Sequence, residues 1–278
     1  MFDRRLLKNF DYQLLIIVLV ICSYGLLVIS SATRGDGAES FVYLQKQAIS
    51  IGIGLFAILV IISIDYLDFY RLSWYLYAFN FVCLGLVLFI GREGGGSYRW
   101  IDLKVIDFQP SEMAKIIIII TLARLLVEQK ERLANPVQLI PLFLHVLIPM
   151  ILIFLQPDLG TALVFAAIFL GMLYMAGVPV KNLLIVICSG IAAFPLLWFR
   201  LMDYQKMRLI VFFNPDIDPL DQGYQLTQSM IAIGSGGLTG KGLFAGTQAR
   251  LQFLPEHHTD FIFSVLGEEL GFLGGVFL

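Results

Sequence analysis

The chain has 278 residues, of which 58% are hydrophobic and only 14% charged, with a mean hydropathy of +0.83. Soluble domains carry roughly 25% charged residues, so these values exclude a soluble globular protein and point to an all-α polytopic integral membrane protein. The formal net charge of -2 selects no partner, and nucleic acid is not an expected one.

Seven runs are long enough to cross a bilayer, which needs about 20 apolar residues. They lie at roughly 12–32, 42–64, 73–91, 111–127, 139–155, 159–177 and 181–199. The first lacks the small-residue cleavage site of a signal peptide. Cys22, Cys83 and Cys188 lie inside apolar runs, so no disulfide framework or metal-ligand spacing is visible. An eighth run starts near residue 260 and meets Leu278 without a polar exit, which reads as a fragment whose C-terminal helices are missing. The expected organisation is one polytopic membrane domain over 1–278, with a large loop at 200–259.

Orientation follows the Lys/Arg bias of the short loops. One side collects Arg4, Arg5, Lys8, Arg71, Arg124, Lys130, Arg132 and Lys181; the other collects Arg34, Lys46, Arg92, Arg99 and Lys104. The excess favours a cytoplasmic N-terminus, which puts the 200–259 loop and Asp260 outside the cytoplasm.

The fourth and sixth runs each follow a proline, in Gln109-Pro110-Ser111-Glu112 and Gln156-Pro157-Asp158. Proline suits the first helical position. Both helix starts fall on the extracytoplasmic side, where their partial positive charge either favours an anion or is simply capped. Glu112 and Lys115 share one helical face. The pair is either a snorkelling lysine with its neighbour or a cation facing a negatively charged substrate. Arg99, Lys104 and Arg208 add to that surface.

In the long loop, Asn214-Pro215-Asp216 and Asp218-Pro219 read as turns, and 223–232 as a short interfacial helix. Gly234 to Gly242 is glycine-rich but is no phosphate loop: Ser235 takes the first glycine position, and Gly242 stands where a Ser or Thr is required. A tightly turned loop is the better reading.

The loop ends in Leu254-Pro255-Glu256-His257-His258-Thr259-Asp260, with a membrane helix expected to begin at Thr259 or Asp260. An ionisable carboxylate on the lip of a membrane helix is costly unless it faces protein or water. Asp260, Ser264, Gly267, Gly271 and Gly275 fall on one helical side, a small-residue face suited to close packing. Glu268 lies at its edge, and Glu269, nearly opposite, needs its own protein partner. His257, His258 and Asp260 are poorly spaced for a metal.

These residues reach an extracytoplasmic carboxylate with nearby cations, but not a reaction. The stretches Phe108-Gln109-Pro110-Ser111-Glu112-Met113-Ala114-Lys115, Gln156-Pro157-Asp158-Leu159-Gly160-Thr161, Ala232-Ile233-Gly234-Ser235-Gly236-Gly237 and His258-Thr259-Asp260-Phe261-Ile262-Phe263 resemble the signature motifs of the SEDS (shape, elongation, division and sporulation) family of cell-wall polymerases. Asp203-Tyr204-Gln205 and Gly246-Thr247-Gln248 look more like its elongation branch, RodA, than its division branch, FtsW. The resemblance implies ten transmembrane helices, glycosyl transfer from lipid II in the bacterial plasma membrane, and a class B penicillin-binding transpeptidase as partner. The family's essential aspartate falls on Asp260. A second family carboxylate, eight residues earlier, is replaced by Gln252.

The α-linked donor and β-1,4 product imply inversion, with Asp260 as the base. Lys115, Arg208 or a divalent cation such as Mg or Mn would stabilise the leaving pyrophosphate; the cofactor is left open. Candidate substrate-binding residues are Lys115, Glu112, Ser111, Gln109, Arg99, Asp158, Gln205, Arg208 and His258. Two other readings compete: a proton-coupled lipid II flippase, and a scaffold that only recruits the transpeptidase. A flippase needs polar groups along a path through the bilayer, whereas here they cluster at one interface.

Overall fold

In hydrocarbon every backbone N–H and C=O must be bonded within its own segment, so the apolar runs become helices. The computed structural model describes residues 10–35, 39–94, 97–102, 107–248, 250–251 and 253–278. Its α-helices are α1 (Tyr12–Ala32), α2 (Glu39–Ile62), α3 (Tyr66–Ile90), α4 (Pro110–Glu128), α5 (Leu139–Leu155), α6 (Leu159–Met175), α7 (Val180–Trp198), α8 (Asp203–Phe213), α9 (Gln222–Gly236) and α10 (Ile262–Phe277).

Among the described residues, five helical stretches are long and apolar enough to cross a membrane: Tyr12–Ala32, Ser40–Ile62, Tyr66–Ile90, Pro136–Leu155 and Val180–Trp198. The seven complete spans expected from sequence are therefore not all of one kind. Helix α6, with 17 residues, is shorter than a standard span. Helix α4 carries Glu112, Lys115 and Arg124 along its 19 residues.

The chain forms two compact units, residues 1–64 with 206–278, and residues 65–205. In the second, α3 packs on α4 and α4 on α5 and α6. Its core takes every fourth residue of two helices, Ala114, Ile118, Leu122 and Leu126 on α4 and Phe165, Phe169 and Leu173 on α6, and joins them to Leu84 of α3 and Leu142, Val146 and Ile153 of α5. This spacing keeps one stripe inward, while Ile116 and Ile119 are exposed. Between α3 and α4 lies a three-stranded antiparallel sheet of β1 (Arg92–Gly94), β2 (Ser97–Asp102) and β3 (Asp107–Phe108), which the sequence reading did not anticipate.

In the first unit α1 packs against α2 and α10, and α9 against α10. Tyr24 donates to the Gly274 carbonyl and Ser31 to Glu269, so α1 and α10 run antiparallel. The end of α1 therefore lies at the end from which α10 starts. The small-residue face of α10 meets α9 closely: Ser264 and Ser229 hydroxyls are 2.7 Å apart, and a Cβ on Gly236 would overlap the Gly267 carbonyl.

Helix α10 is broken at Gly271, whose φ of 65° is open to glycine at little cost. The break frees backbone groups, and the glycine-rich stretch fills them. Lys241 and Gly242 N–H groups donate to the Glu268 and Glu269 carbonyls, and Phe272 and Leu273 N–H groups donate to the Gly237 and Leu238 carbonyls. Gly240 is required by proximity, since a Cβ there would overlap the Glu269 carbonyl.

Candidate active site

In the second unit the two helix starts read from Gln-Pro pairs come together at Asp158. Pro110 opens α4 and Asp158 caps α6, accepting from the Thr161 N–H at 3.1 Å and the Thr161 hydroxyl at 2.9 Å. Gln109 does not cap its own helix. Its Nε2 instead donates to Asp158 at 3.1 Å and to the buried Ser111 hydroxyl at 2.9 Å. Arg99, on β2, approaches the same carboxylate at 3.6 Å. The Arg99 Nε is buried and has no hydrogen-bond partner among the described residues.

One turn along α4, Lys115 Nζ lies 2.9 Å from Glu112. The carboxylate is well exposed, and exposed pairs contribute little to stability. Gln205 is buried: its carbonyl accepts from the Met202 N–H at 3.0 Å, and its amide donates to the Pro157 carbonyl at 3.2 Å. The Tyr204 hydroxyl donates to the same carbonyl at 2.9 Å, so the Tyr-Gln pair anchors the Gln156-Pro157-Asp158 corner. Arg208 lies exposed further along α8, and Lys104 lies outside the described residues.

In the first unit the expected helix start at Thr259 or Asp260 is corrected. Helix α10 begins at Ile262, and residues 255–261 form turns in which the Glu256 carbonyl accepts from the Thr259 and Phe261 N–H groups, each at 3.2 Å. Glu256 adopts a φ of 53°, unusual for a residue with a side chain. Asp260 consequently stands exposed ahead of the helix and not at the top of its packed stripe. His258 lies against Tyr43 with ring centroids 4.1 Å apart, and His257 pairs with the Leu254 carbonyl at 3.0 Å.

The loop leading to Asp260 is held by two adjacent carboxylates of α10. Glu268 has no solvent exposure and accepts from Lys241 Nζ at 2.6 Å, from the Thr247 N–H at 2.8 Å and hydroxyl at 2.7 Å, and from the Gln248 N–H at 3.1 Å. Glu269 accepts from the Ser31 hydroxyl at 2.6 Å and from the Gly246 N–H at 3.2 Å. Ser31 also accepts from the Phe244 N–H at 2.9 Å. The partner that Glu269 needed is therefore Ser31 on α1.

Residues 12–278 match the family model described as Cell cycle protein, of the FtsW, RodA and SpoVE type. The chain belongs to the SEDS family. It is 39% identical over 270 residues to the peptidoglycan glycosyltransferase MrdB of Escherichia coli K12, covering 96% of this chain and 71% of that protein. A probable peptidoglycan glycosyltransferase FtsW of Thiomicrospira cyclica is 39% identical over 280 residues, covering 98% and 71%. Among solved structures, a peptidoglycan synthase complex that coordinates polymerization and crosslinking matches with a TM-score of 0.72 at 29% identity, over 96% of this chain and 73% of that one. The rod shape determining protein RodA of Thermus thermophilus matches with a TM-score of 0.63 at 27% identity, over 96% and 70%.

Within this SEDS chain, Gln109, Ser111, Asp158 and Arg99 form one connected cluster, Lys115 and Glu112 a separate pair, and Asp260 and His258 belong to the other unit. Gln252, which replaces the second family carboxylate, lies outside the described residues. Glu268, Lys241 and Thr247 were missed as a group. The signal available was two consecutive carboxylates inside an apolar run, each requiring a partner. Among the described residues no three His, Cys, Asp or Glu side chains gather to hold a metal ion.

Proposed function

We propose that this chain is a peptidoglycan glycosyltransferase that polymerises lipid II into β-1,4-linked glycan strands for cell elongation and rod shape. The observation that carries the reaction class is SEDS membership across residues 12–278, with relatives named for that activity. We read the chain as one multi-pass domain of the bacterial plasma membrane, with α4 and α6 spanning alongside the five longer stretches. Its N-terminus is cytoplasmic, and Asp260 with the 200–259 loop is extracytoplasmic.

Asp260 is the base that takes the proton from the acceptor hydroxyl as the hydroxyl oxygen attacks the anomeric carbon. The bond to the pyrophosphate breaks as the glycosidic bond forms, and the configuration inverts. Exposure of Asp260 in the turns ahead of α10 supports this role, because a base must reach a hydroxyl on a large substrate. The departing pyrophosphate carries its negative charge to cationic donors, for which Lys115, Arg99 and Arg208 are the candidates. The partial exposure of the Arg99 side chain, 29%, supports its share. Gln109, Ser111, Asp158 and Gln205 position the α4 and α6 starts, and His258 orients the Asp260 turn. Similarity to a complex that couples polymerization to crosslinking supports a class B penicillin-binding transpeptidase as partner.

The test is polymerisation of labelled lipid II by the purified full-length protein with its transpeptidase partner. Glycan polymer made with the transpeptidase active site blocked supports the reading; lipid translocation without polymer would overturn it.

A further inference from the structure

The unit that carries Asp260 also encloses a polar cavity of about 250 Å³, lined among others by Ser31, Arg34, Phe244, Gly246, Arg250 and Glu269. It lies beside the residues where α1 ends. Because α1 and α10 run antiparallel, that is the end of the unit from which α10 starts and at which Asp260 stands.

The cavity contains two guanidinium groups and one carboxylate, a formal surplus of one positive charge. The carboxylate is already served: both Glu269 oxygens are reached by the Ser31 hydroxyl, at 2.7 and 2.6 Å, and one by the Gly246 N–H at 3.2 Å. The Arg34 guanidinium carbon lies over the Phe244 ring, 5.1 Å from its centroid. A cation–π contact uses no N–H donor, and Arg34 makes no ion pair among the described residues. Arg250 makes no ion pair among the described residues. Two guanidinium groups lining one cavity offer the fork of N–H donors that matches the planar, two-point acceptor geometry of carboxylate and phosphate oxygens.

We propose that Arg34 and Arg250 form an oxyanion subsite that takes one carboxylate or phosphate group of the lipid-linked substrate or product. The assignment of the ligand rests on the glycosyltransferase reading; the existence of the subsite does not. Neither arginine falls within the stretches that carry the family resemblance, so the subsite concerns substrate selection and not the shared chemistry. Lipid II offers two sources of the same group, its pyrophosphate and the carboxylates of its peptide.

The experiment is titration of the purified full-length complex at low salt with two separate probes, inorganic pyrophosphate and acetyl-D-alanyl-D-alanine, followed by calorimetry. Both arginines are exposed, so substitution leaves the fold intact, which thermal unfolding checks. Arg250→Gln should weaken at least one probe about tenfold, or ~1.4 kcal/mol, Arg34→Gln should weaken the same probe, and Arg250→Lys should lose less than Arg250→Gln. A pyrophosphate response assigns the phosphate source, and a peptide response assigns the carboxylate. Failure of both probes to bind the unaltered protein, or equal binding by the Arg34→Gln/Arg250→Gln double variant, overturns the subsite. Because the readout is binding and not polymer, that failure leaves the glycosyltransferase reading standing.

Discussion

Lys241 Nζ lies 2.6 Å from Glu268, a carboxylate with no solvent exposure, so a cation of the glycine-rich stretch is drawn onto the broken helix α10. Removing one partner of a buried pair typically costs about 3–5 kcal/mol, because the other charge is left uncompensated. Lys241 is partly exposed and Glu268 keeps its bonds to Thr247 and Gln248, so Lys241→Met should fall at the low end, and Glu268→Ala should cost more. The double variant should be destabilised by less than the sum of the two, as thermal unfolding in detergent would register. Strict additivity would mean that the pair carries no coupling.

Asp260→Asn keeps size and much of the hydrogen bonding but removes the base. General-base catalysis is worth about 10²–10⁴-fold, and lipid II polymerisation should fall by that factor. The side chain is exposed, so expression and recovery of the transpeptidase complex should not change. Polymer at the unaltered rate would sink the assignment, and loss of the complex would make the residue structural.

Lys115→Ala should slow polymerisation more than Lys130→Ala. Lys115 is paired with Glu112 near the start of α4, whereas Lys130 lies exposed beyond its other end. Equal small effects would return Lys115 to the role of a snorkelling side chain matched by its neighbour.

Labelling from outside the cell tests orientation. Leu220 is 93% exposed in the loop before α9, and Leu220→Cys should react with a membrane-impermeant thiol reagent, while Glu131→Cys should not. The background must lack Cys22, Cys83 and Cys188, all of which are free thiols. Gly246 is unsuitable for this purpose: it is buried, and a Cβ there would stand 2.9 Å from a Glu269 oxygen. The reverse pattern would move Asp260 to the cytoplasm and remove the polymerase reading.

Gly271→Ala should sharply reduce the yield of folded protein, whereas Gly25→Ala should not. A Cβ on Gly271 would overlap the Gly240 backbone nitrogen at a φ already open mainly to glycine, while nothing lies within 4 Å of one on Gly25. Size-exclusion profiles of the two variants in detergent distinguish them.

The long apolar runs, the Pro110 helix start and the need of Glu269 for a partner were all legible in the sequence, because each follows from the cost of exposing polar groups to hydrocarbon. The sheet was not, since its strands of 3, 6 and 2 residues are too short for alternation to register. Helix α8 was hidden by the polar start of Asp203-Tyr204-Gln205-Lys206, which reads as loop until Gln205 is seen fixed to the Pro157 carbonyl. The start of α10 shifted by two or three residues because Thr259 and Asp260, good capping types, are used in turns around the Glu256 carbonyl. At the candidate site, the meeting of Gln109 with Asp158 joins residues 49 positions apart. No local pattern encodes that.

The break in α10 constrains the order in which the protein can be built. In lipid each unsatisfied backbone group costs several kcal/mol, so α10 cannot enter the bilayer as a finished helix and wait for a partner. Its complement, residues 237–242, precedes it in the chain and leaves the ribosome first. This order suits co-translational assembly, because the glycine-rich segment is already available to dock when Gly271 emerges. A circular permutation that synthesised α10 first would strand the break in the membrane, even though every contact of the final structure remained available to it.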